Sequence, residues 1–363
     1  MNSSLTTRHF LLAALAFLPA GLRAWDYEGH RIVNQVALAA LPPDFPAFVH
    51  DPAMAERIAF LAGEPDRWRN VPDLIMRQSG GSWADHYLDI EQLPAAGLDP
   101  AKVPSLRYDF MLAFAAGRAA HPQNFPAIDP ANDADHTREW PGFAPWAIAE
   151  YYARLKSALM YLRTYQELGT PEEVANAQAN VVYLMGVMGH YVGDCAQPLH
   201  ATEYHSGWVG PNPHGYTTWK NFHSWIDSGL INKAGITYAS IAGRVKPATA
   251  LSLPPQADGR DPLFVAVMDY IIASNRLVEP LYQMEKDGKL SNEAERQGHR
   301  PAPGAPVNPE GVAFIQDRLV VGGEMLASLW LTAWHNPVPD TFLRTQLLKR
   351  KAAAHPAPAK PAP

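Results

Sequence analysis

The sequence has one cysteine, Cys195, among 363 residues, so it cannot form an intramolecular disulfide. It also lacks any uninterrupted apolar run of the roughly 18 to 20 residues that a membrane-spanning helix needs. Acidic residues outnumber basic ones, with 36 Asp and Glu against 30 Lys and Arg. This balance argues against a broad basic surface for duplex nucleic acid. We therefore expect no stable insertion into a membrane, and local cations wherever an anionic substrate binds.

The first 24 residues have the pattern of a secretory signal peptide. Arg8 precedes an apolar run over 10–18, and the small residue Ala24 suits cleavage. Removal of this leader would make Trp25 the new N-terminus, with a free α-amino group. We expect a secreted or periplasmic protein.

Helical periodicity dominates the rest of the chain, and no convincing set of alternating strands is present. Apolar residues recur at intervals of three and four over 29–41, 145–168, 170–194, 217–231, 261–286 and 308–335. Thr170 is predicted as an N-cap, with Pro171 in the first helical turn. The predicted fold is mainly α, with one domain over 25–348 and a disordered Pro/Ala-rich tail over 349–363.

Two long irregular segments separate these helices, over 63–100 and 120–145, and both are rich in proline. Long loops in a compact domain are usually functional or disordered. The first contains several Asp, His and Trp residues, which favours a functional loop.

The most informative pattern is a His-x-x-x-Asp pair that occurs twice. His190 and Asp194 lie four residues apart on a predicted helix, so their side chains share one face. His223 and Asp227 repeat the spacing, and His200 follows just beyond a proline. If the helices are neighbours, five nitrogen and oxygen ligands converge.

Imidazole and carboxylate together suit zinc, which usually takes four ligands. Five ligands exceed one tetrahedral site, and Asp66, His86 and His30 add to the supply. More than one metal ion is therefore predicted. Taken singly, each pair is more often an exposed or hydrogen-bonded pair than a metal site, so the prediction depends on the combination.

At these residues the sequence resembles the secreted zinc-dependent single-strand-specific nucleases of fungi and plants, the mung bean nuclease type. The resemblance rests on Trp25-x4-His30 and on the motifs "PDRWR", "HYLD", "HYVGDCAQPLH" and "NFHSWIDSGL". It covers the stretch from Trp25 to Leu230 and is specific for the metal ligands. It implies a largely helical fold of the phospholipase C and nuclease type around a cleft with three zinc ions.

Three ligand sets follow from the resemblance. One zinc would take Asp66, His86, His190 and Asp194. Its neighbour would take the amine and carbonyl of Trp25, His30 and a shared Asp194. The third would take His200, His223 and Asp227.

The resemblance also implies an activity, the hydrolysis of single-stranded DNA or RNA to 5'-nucleotides, with 3'-nucleotidase activity left open. Arg69, Asp66 and Asp89 would be catalytic: Arg69 would offset charge on the phosphate, and Asp89 would orient Arg69. Tyr87 would stack on a nucleobase and Asp89 would contact it. We expect a monomer acting on a single-stranded nucleic acid or nucleotide.

Two departures from that family leave the substrate open. Fungal and plant members carry disulfides, whereas this chain cannot, and "GWVGPNPHGY" replaces the usual Gly-Gly-Asn run. One alternative is a zinc-dependent phospholipase C, although that family has a longer interval from Trp to the first His and a Glu in place of Asp227. The other is a non-catalytic helical metal-binding protein, although structural zinc sites tend to be rich in cysteine.

Overall fold

A computed structural model describes residues 25, 27–69, 71–78, 83–301 and 305–354. The predicted signal peptide, 1–24, lies outside the described residues, as does 355–363 at the C-terminal end. The fold is mainly helical, as predicted, and the described residues contain no β-strand. No helix among them is long and apolar enough to cross a membrane.

Sixteen α-helices are present in the described part of the chain. In chain order they are α1 Tyr27–Ala40, α2 Pro52–Leu61, α3 Glu64–Arg69, α4 Leu74–Gln78, α5 Gln92–Ala95, α6 Arg107–Ala120, α7 Ala144–Leu168, α8 Pro171–Ala196, α9 Phe222–Ser224, α10 Leu230–Ala234, α11 Tyr238–Ile241, α12 Pro262–Asn275, α13 Val278–Lys286, α14 Glu293–Arg296, α15 Pro309–His335 and α16 Thr341–Ala354. Short 3-10 helices span Ala47–His50, Trp83–His86, Pro100–Lys102, Pro122–Asn124, Pro130–Asn132, Pro198–Ala201 and Ala242–Arg244, and a π-helical turn spans Trp225–Gly229.

The core forms where α1, α7, α8 and α15 pack on one another, with α2 against α8. The start of α8 is fixed locally by a capping box, in which Thr170 and Glu173 each bond the other's backbone N–H. This confirms the predicted N-cap. The last three turns of α8, from Met185 to Ala196, are buried on all sides.

Helix α1 approaches α8 closely at Gly189, a residue without a side chain. Asn34 of α1 donates to the carbonyls of Ile58 and Gly186, at 2.7 and 3.1 Å, and so connects α1 to α2 and α8. A Cβ atom on Gly189 would lie only 1.7 Å from Asn34 Oδ1. Glycine at this position therefore lets the two helices touch.

Three predicted boundaries need correction. The helix predicted over 261–286 is broken at Arg276 and Leu277 into α12 and α13. The helix predicted over 217–231 starts only at Phe222 and contains the π turn. The structure also adds α2, α6 and α16, and α16 includes 349–354 of the predicted tail.

Helix α16 has a local and a tertiary cause. Most of its residues are Leu, Lys, Arg, Gln or Ala, which favour a helix. Leu347 is buried, and Arg344 and Arg350 form ion pairs with Glu167 and Glu173 of α7 and α8, so the helix docks beside the turn between them.

Candidate metal centre

Three groups of His and Asp side chains each bring one ligand atom per residue within 4.8 Å of the others. The groups are His30, His190 and Asp194; Asp66, His86 and His190; and His200, His223 and Asp227. Together they contain eight of the nine residues that the sequence predicts as ligands, and each group can hold a metal ion.

Asp194 joins these groups. Its Oδ2 lies 3.1 Å from His86 Nδ1 and 3.3 Å from His190 Nε2. Its Oδ1 lies 3.4 Å from His30 Nε2 and 3.8 Å from His200 Nε2. A fully buried carboxylate within reach of four imidazoles fits the predicted role of a shared ligand.

Backbone carbonyls fix the orientation of two histidines. His190 Nδ1 lies 2.7 Å from the carbonyl of Ala62, and His200 Nδ1 lies 2.9 Å from the carbonyl of His86. Because a carbonyl only accepts, each Nδ1 must carry the proton, and each neutral ring keeps a lone pair on Nε2. Carbonyl partners of this kind orient metal-binding histidines.

These lone pairs point at other ligand atoms. His190 Nε2 lies 2.9 Å from His86 Nδ1, and His200 Nε2 lies 2.9 Å from His223 Nε2. The His30 ring stacks on the His190 ring, with centroids 3.8 Å apart. Nitrogen atoms thus converge from several directions.

Burial sets the protonation state of the site. It lowers the pKa of His190 and of His223 to about 3, and it lowers the pKa of His30, His86 and His200 well below the usual value. All five rings are therefore neutral at pH 7, as metal ligands must be. Burial also raises the pKa of Asp227 to about 8 and that of Asp194 well above its usual range, and a bound cation would favour their ionised forms.

The unpaired atoms of the site test whether it fits a metal. His30 Nε2, Asp194 Oδ1 and Asp227 Oδ2 face other ligand atoms of the groups and are buried without a hydrogen bond. A buried polar atom without a partner costs about 1 to 3 kcal/mol, so native proteins rarely leave several together. The His and Asp donors suit a divalent transition metal, and ligation would satisfy these atoms.

Helix α3 places a cation beside the groups. Arg69 is only 6% exposed, and its Nη2 lies 2.7 Å from Asp66 Oδ1, three residues earlier. The guanidinium carbon also lies 4.9 Å from the centre of the Trp83 ring. Arg69 is thus held next to the group of Asp66, His86 and His190.

The predicted pairing of Asp89 with Arg69 is replaced by this Asp66 contact. Asp89 is 6% exposed and accepts instead from Gln92 Nε2, at 2.9 Å. Burial raises the pKa of the Asp89 carboxyl well above its usual range, and the nearby Glu91 and Glu203 add to the effect. The pKa of Tyr87 is also raised, mainly because the side chain is buried and secondly because the Asp89 charge is nearby. Tyr87 and Asp89 therefore lie near each other, and their contact with a nucleobase stays a prediction.

The third group is built on short elements. His200 lies in the 3-10 helix Pro198–Ala201, His223 lies in α9, and Asp227 lies in the π turn. His223 Nε2 is 3.0 Å from Asp227 Oδ2. The other carboxylate oxygen of Asp227 accepts from Gln197 Nε2 at 2.8 Å. The sequence reasoning missed Gln197, whose one available signal is its place between Asp194 and His200.

Trp25, the remaining predicted ligand, is completely buried beside α8. Its indole Nε1 donates to the carbonyl of Gly193 at 2.7 Å, one residue before Asp194. Its side chain is thus anchored next to the centre. Ligation by its amine and carbonyl stays a prediction.

A fourth group, Asp133, His136 and Glu139, was not predicted. His136 and Glu139 are largely exposed and bond each other at 3.2 Å, and Asp133 accepts from the Arg138 backbone N–H at 3.0 Å. These bonds within the loop account for the arrangement. A cavity of about 870 Å³ lies away from the metal groups, between α7 and α8, and is lined by Tyr161, Tyr165 and Tyr183 among others.

Comparison with known proteins gives no relative. No protein-family model matches the sequence, and neither a search of curated proteins nor a search of solved structures finds a match.

Proposed function

We propose that the protein is an exported zinc-dependent phosphodiesterase that hydrolyses single-stranded nucleic acid. In this proposal the three ligand groups hold three zinc ions, and Trp25 completes one of them through its amine and carbonyl. The number and identity of the metals are part of the proposal.

One observation supports it most directly: eight His and Asp residues from separate parts of the chain converge beside a buried arginine, and all of them except the half-buried Asp66 are buried. The set contains no thiolate, which is the usual ligand of closed structural zinc sites. Groups that share His190 would hold their ions close together, and paired metals are typical of phosphoester hydrolysis. This favours a catalytic over a structural centre.

When bound, zinc supplies a nucleophilic water near neutral pH and neutralises charge on the phosphate. The chain's own residues prepare the site for this chemistry. The carbonyls of Ala62 and His86 hold His190 and His200 in the tautomer that presents Nε2. Burial keeps all five imidazoles deprotonated, so no proton competes for these nitrogens at neutral pH.

Arg69 supplies a fixed positive charge. Its pairing with Asp66 holds the guanidinium in place, and stacking on Trp83 limits its motion. A guanidinium held in a site that excludes water stabilises charge on a phosphate oxygen more strongly than it would in water.

The test is hydrolysis of four substrates: single-stranded DNA, single-stranded RNA, duplex DNA and phosphatidylcholine vesicles. We expect cleavage of both single strands, loss of activity on chelation, and its recovery on adding zinc. Cleavage of the vesicles without cleavage of either polymer would overturn the nuclease assignment. Activity that survives exhaustive chelation would overturn the metal assignment.

A phospholipid substrate is the second candidate, and one observation favours it. Between Arg69 and Trp83, α4 exposes Leu74 and Ile75, at 47% and 79%. Helix α4 packs against α3 and the Trp83–His86 turn, which carry Asp66 and His86, so these exposed apolar side chains belong to a helix that borders two candidate ligands. Substituting both with Ser separates the candidates, because vesicle cleavage would fall while polymer cleavage would persist.

Trp25 gives an independent test of the zinc arrangement. A chain that keeps residues before Trp25 has an amide in place of the free amine. We expect it to bind one metal ion fewer than the processed chain. Equal metal content in the two chains would contradict ligation by the amine.

A further inference from the structure

Gln197 forms hydrogen bonds with two residues of the third group, His200 and Asp227, and belongs to no ligand group itself. It lies at the junction of α8 and the 3-10 helix Pro198–Ala201, and its side chain is completely buried. Its Oε1 accepts from the Leu199 backbone N–H at 2.6 Å, and its Nε2 donates to Asp227 Oδ1 at 2.8 Å. Both the oxygen and the nitrogen of the side-chain amide therefore form a hydrogen bond.

The two bonds define how the amide is oriented. Leu199 offers an N–H, which requires an oxygen, and Asp227 offers a carboxylate oxygen, which requires an N–H. A rotated amide would face like groups at both ends. Only glutamine among the natural side chains of this length presents an acceptor and a donor in this arrangement.

The backbone of Gln197 adds to the connection. Its N–H donates to the carbonyl of Asp194 at 2.9 Å, and its carbonyl accepts from the His200 N–H at 3.0 Å. One residue thus bonds the backbone of two candidate ligands and the side chain of a third. The second oxygen of Asp227 is left facing His223 Nε2 at 3.0 Å.

We propose that Gln197 is a positioning residue. It holds Asp227 and the 3-10 helix Pro198–Ala201, which carries His200, in fixed positions relative to each other, so that the third group is assembled before a metal binds. The proposal rests on the function proposed above only in taking this group as a metal site. It assigns no contact between Gln197 and the substrate or the metal.

Two substitutions separate the two bonds. Q197L removes both, whereas Q197E keeps the oxygen that accepts from Leu199 and, when its carboxyl is ionised, loses the donor to Asp227. Q92L is a matched control, because it removes a Gln to Asp bond of 2.9 Å to Asp89, which belongs to none of the metal groups.

The readout is zinc affinity, measured by competition with a chromophoric chelator at pH 7 on full-length, metal-depleted protein. Circular dichroism of each variant checks that the helices form. We expect Q197L and Q197E each to weaken one zinc site about 10- to 100-fold, the usual effect of losing a partner that orients a ligand. Q92L should leave every site unchanged.

Affinity is measured without any substrate, so the result does not depend on whether the chain is a nuclease. Wild-type affinity in Q197L would show that neither bond positions a ligand and would overturn the proposal. If Q197L does not fold, Q197M, which also removes both bonds and keeps the length of the side chain, takes its place. If even the wild-type chain binds no zinc, both this proposal and the proposed function fail.

Discussion

The first ligand group, which contains His30, His190 and Asp194, and the third group are supported by different kinds of structure. His30 and His190 lie on long helices that pack over several turns, and both side chains are completely buried. His200 and Asp227, in contrast, lie on a 3-10 helix and a π turn that individual hydrogen bonds hold. Packing of a core positions one region, and a few local bonds position the other. A single substitution should therefore alter the ligand geometry of the third group more than that of the first.

The largest expected effect comes from Asp194, which the two regions share. D194N removes a carboxylate that lies within 3.8 Å of four histidines, whereas D227N changes one that contacts only the third group and Gln197. We expect D194N to lose two metal ions and nearly all activity, and D227N to lose one ion. Elemental analysis of the dialysed proteins measures this. Equal metal loss in both variants would remove the distinction between the regions.

The next effect concerns Arg69, which lies beside the first region. R69K keeps the charge but loses the planar guanidinium that pairs with Asp66 and stacks on Trp83. We expect kcat to fall about 10²- to 10³-fold, the usual cost of losing one group that stabilises transition-state charge, with metal content unchanged. R67K, on the same helix at a half-exposed ion pair with Glu64, should be neutral. A loss of metal in R69K would instead give Arg69 a structural role.

Acid should act on both regions alike. In the native, metal-free protein the pKa of His190 and of His223 is about 3, whereas the unfolded chain titrates near 6.5. The unfolded state therefore binds more protons, and this stability is complete above about pH 6.5 and lost as pH falls towards 3. Urea unfolding between about pH 7 and pH 4 should show a falling midpoint. A constant midpoint would mean that these rings take up protons as readily in the native state as in the unfolded chain.

The smallest expected effect tests the packing that defines the first region. G189A adds a methyl group at the contact with Asn34, where helix propensity alone would gain about 1 kcal/mol. Because a close-packed core must shift to admit it, we expect a net loss of about 1 to 3 kcal/mol in the free energy of unfolding. G243A, at a position with open space, is the control. Stabilisation by G189A would show that α1 and α8 can separate without cost.

The sequence predicted what local pattern determines. Helical periodicity gave the long helices, and the Thr170 cap follows from residues three positions apart. The pairs His190 with Asp194 and His223 with Asp227 meet because a spacing of four places both on one helical face. The pairing of Asp66 with Arg69 was also within reach of local reasoning, because the two residues lie three positions apart on one helix; the resemblance pointed to Asp89 instead.

Contacts between distant parts of the chain were beyond such reasoning. The carbonyl partners of His190 and His200 come from residues more than a hundred positions away. The ion pairs of Arg344 and Arg350 that dock α16 on α7 and α8 likewise join residues 177 positions apart.

The π turn at Trp225–Gly229 makes the third group sensitive to the deletion of a single residue during evolution. Such a turn amounts to one residue more than an α-helix needs, and here it lies between two α-helical segments. Deleting a single residue within it would let α9 and α10 join as one regular helix, while rotating the two segments by about 100° relative to each other. The buried Leu230 and Ile231 of α10 and the ligand His223 of α9 could then no longer both keep their present directions. Loss of one codon here would therefore disturb the third group and leave the helices of the first group unchanged.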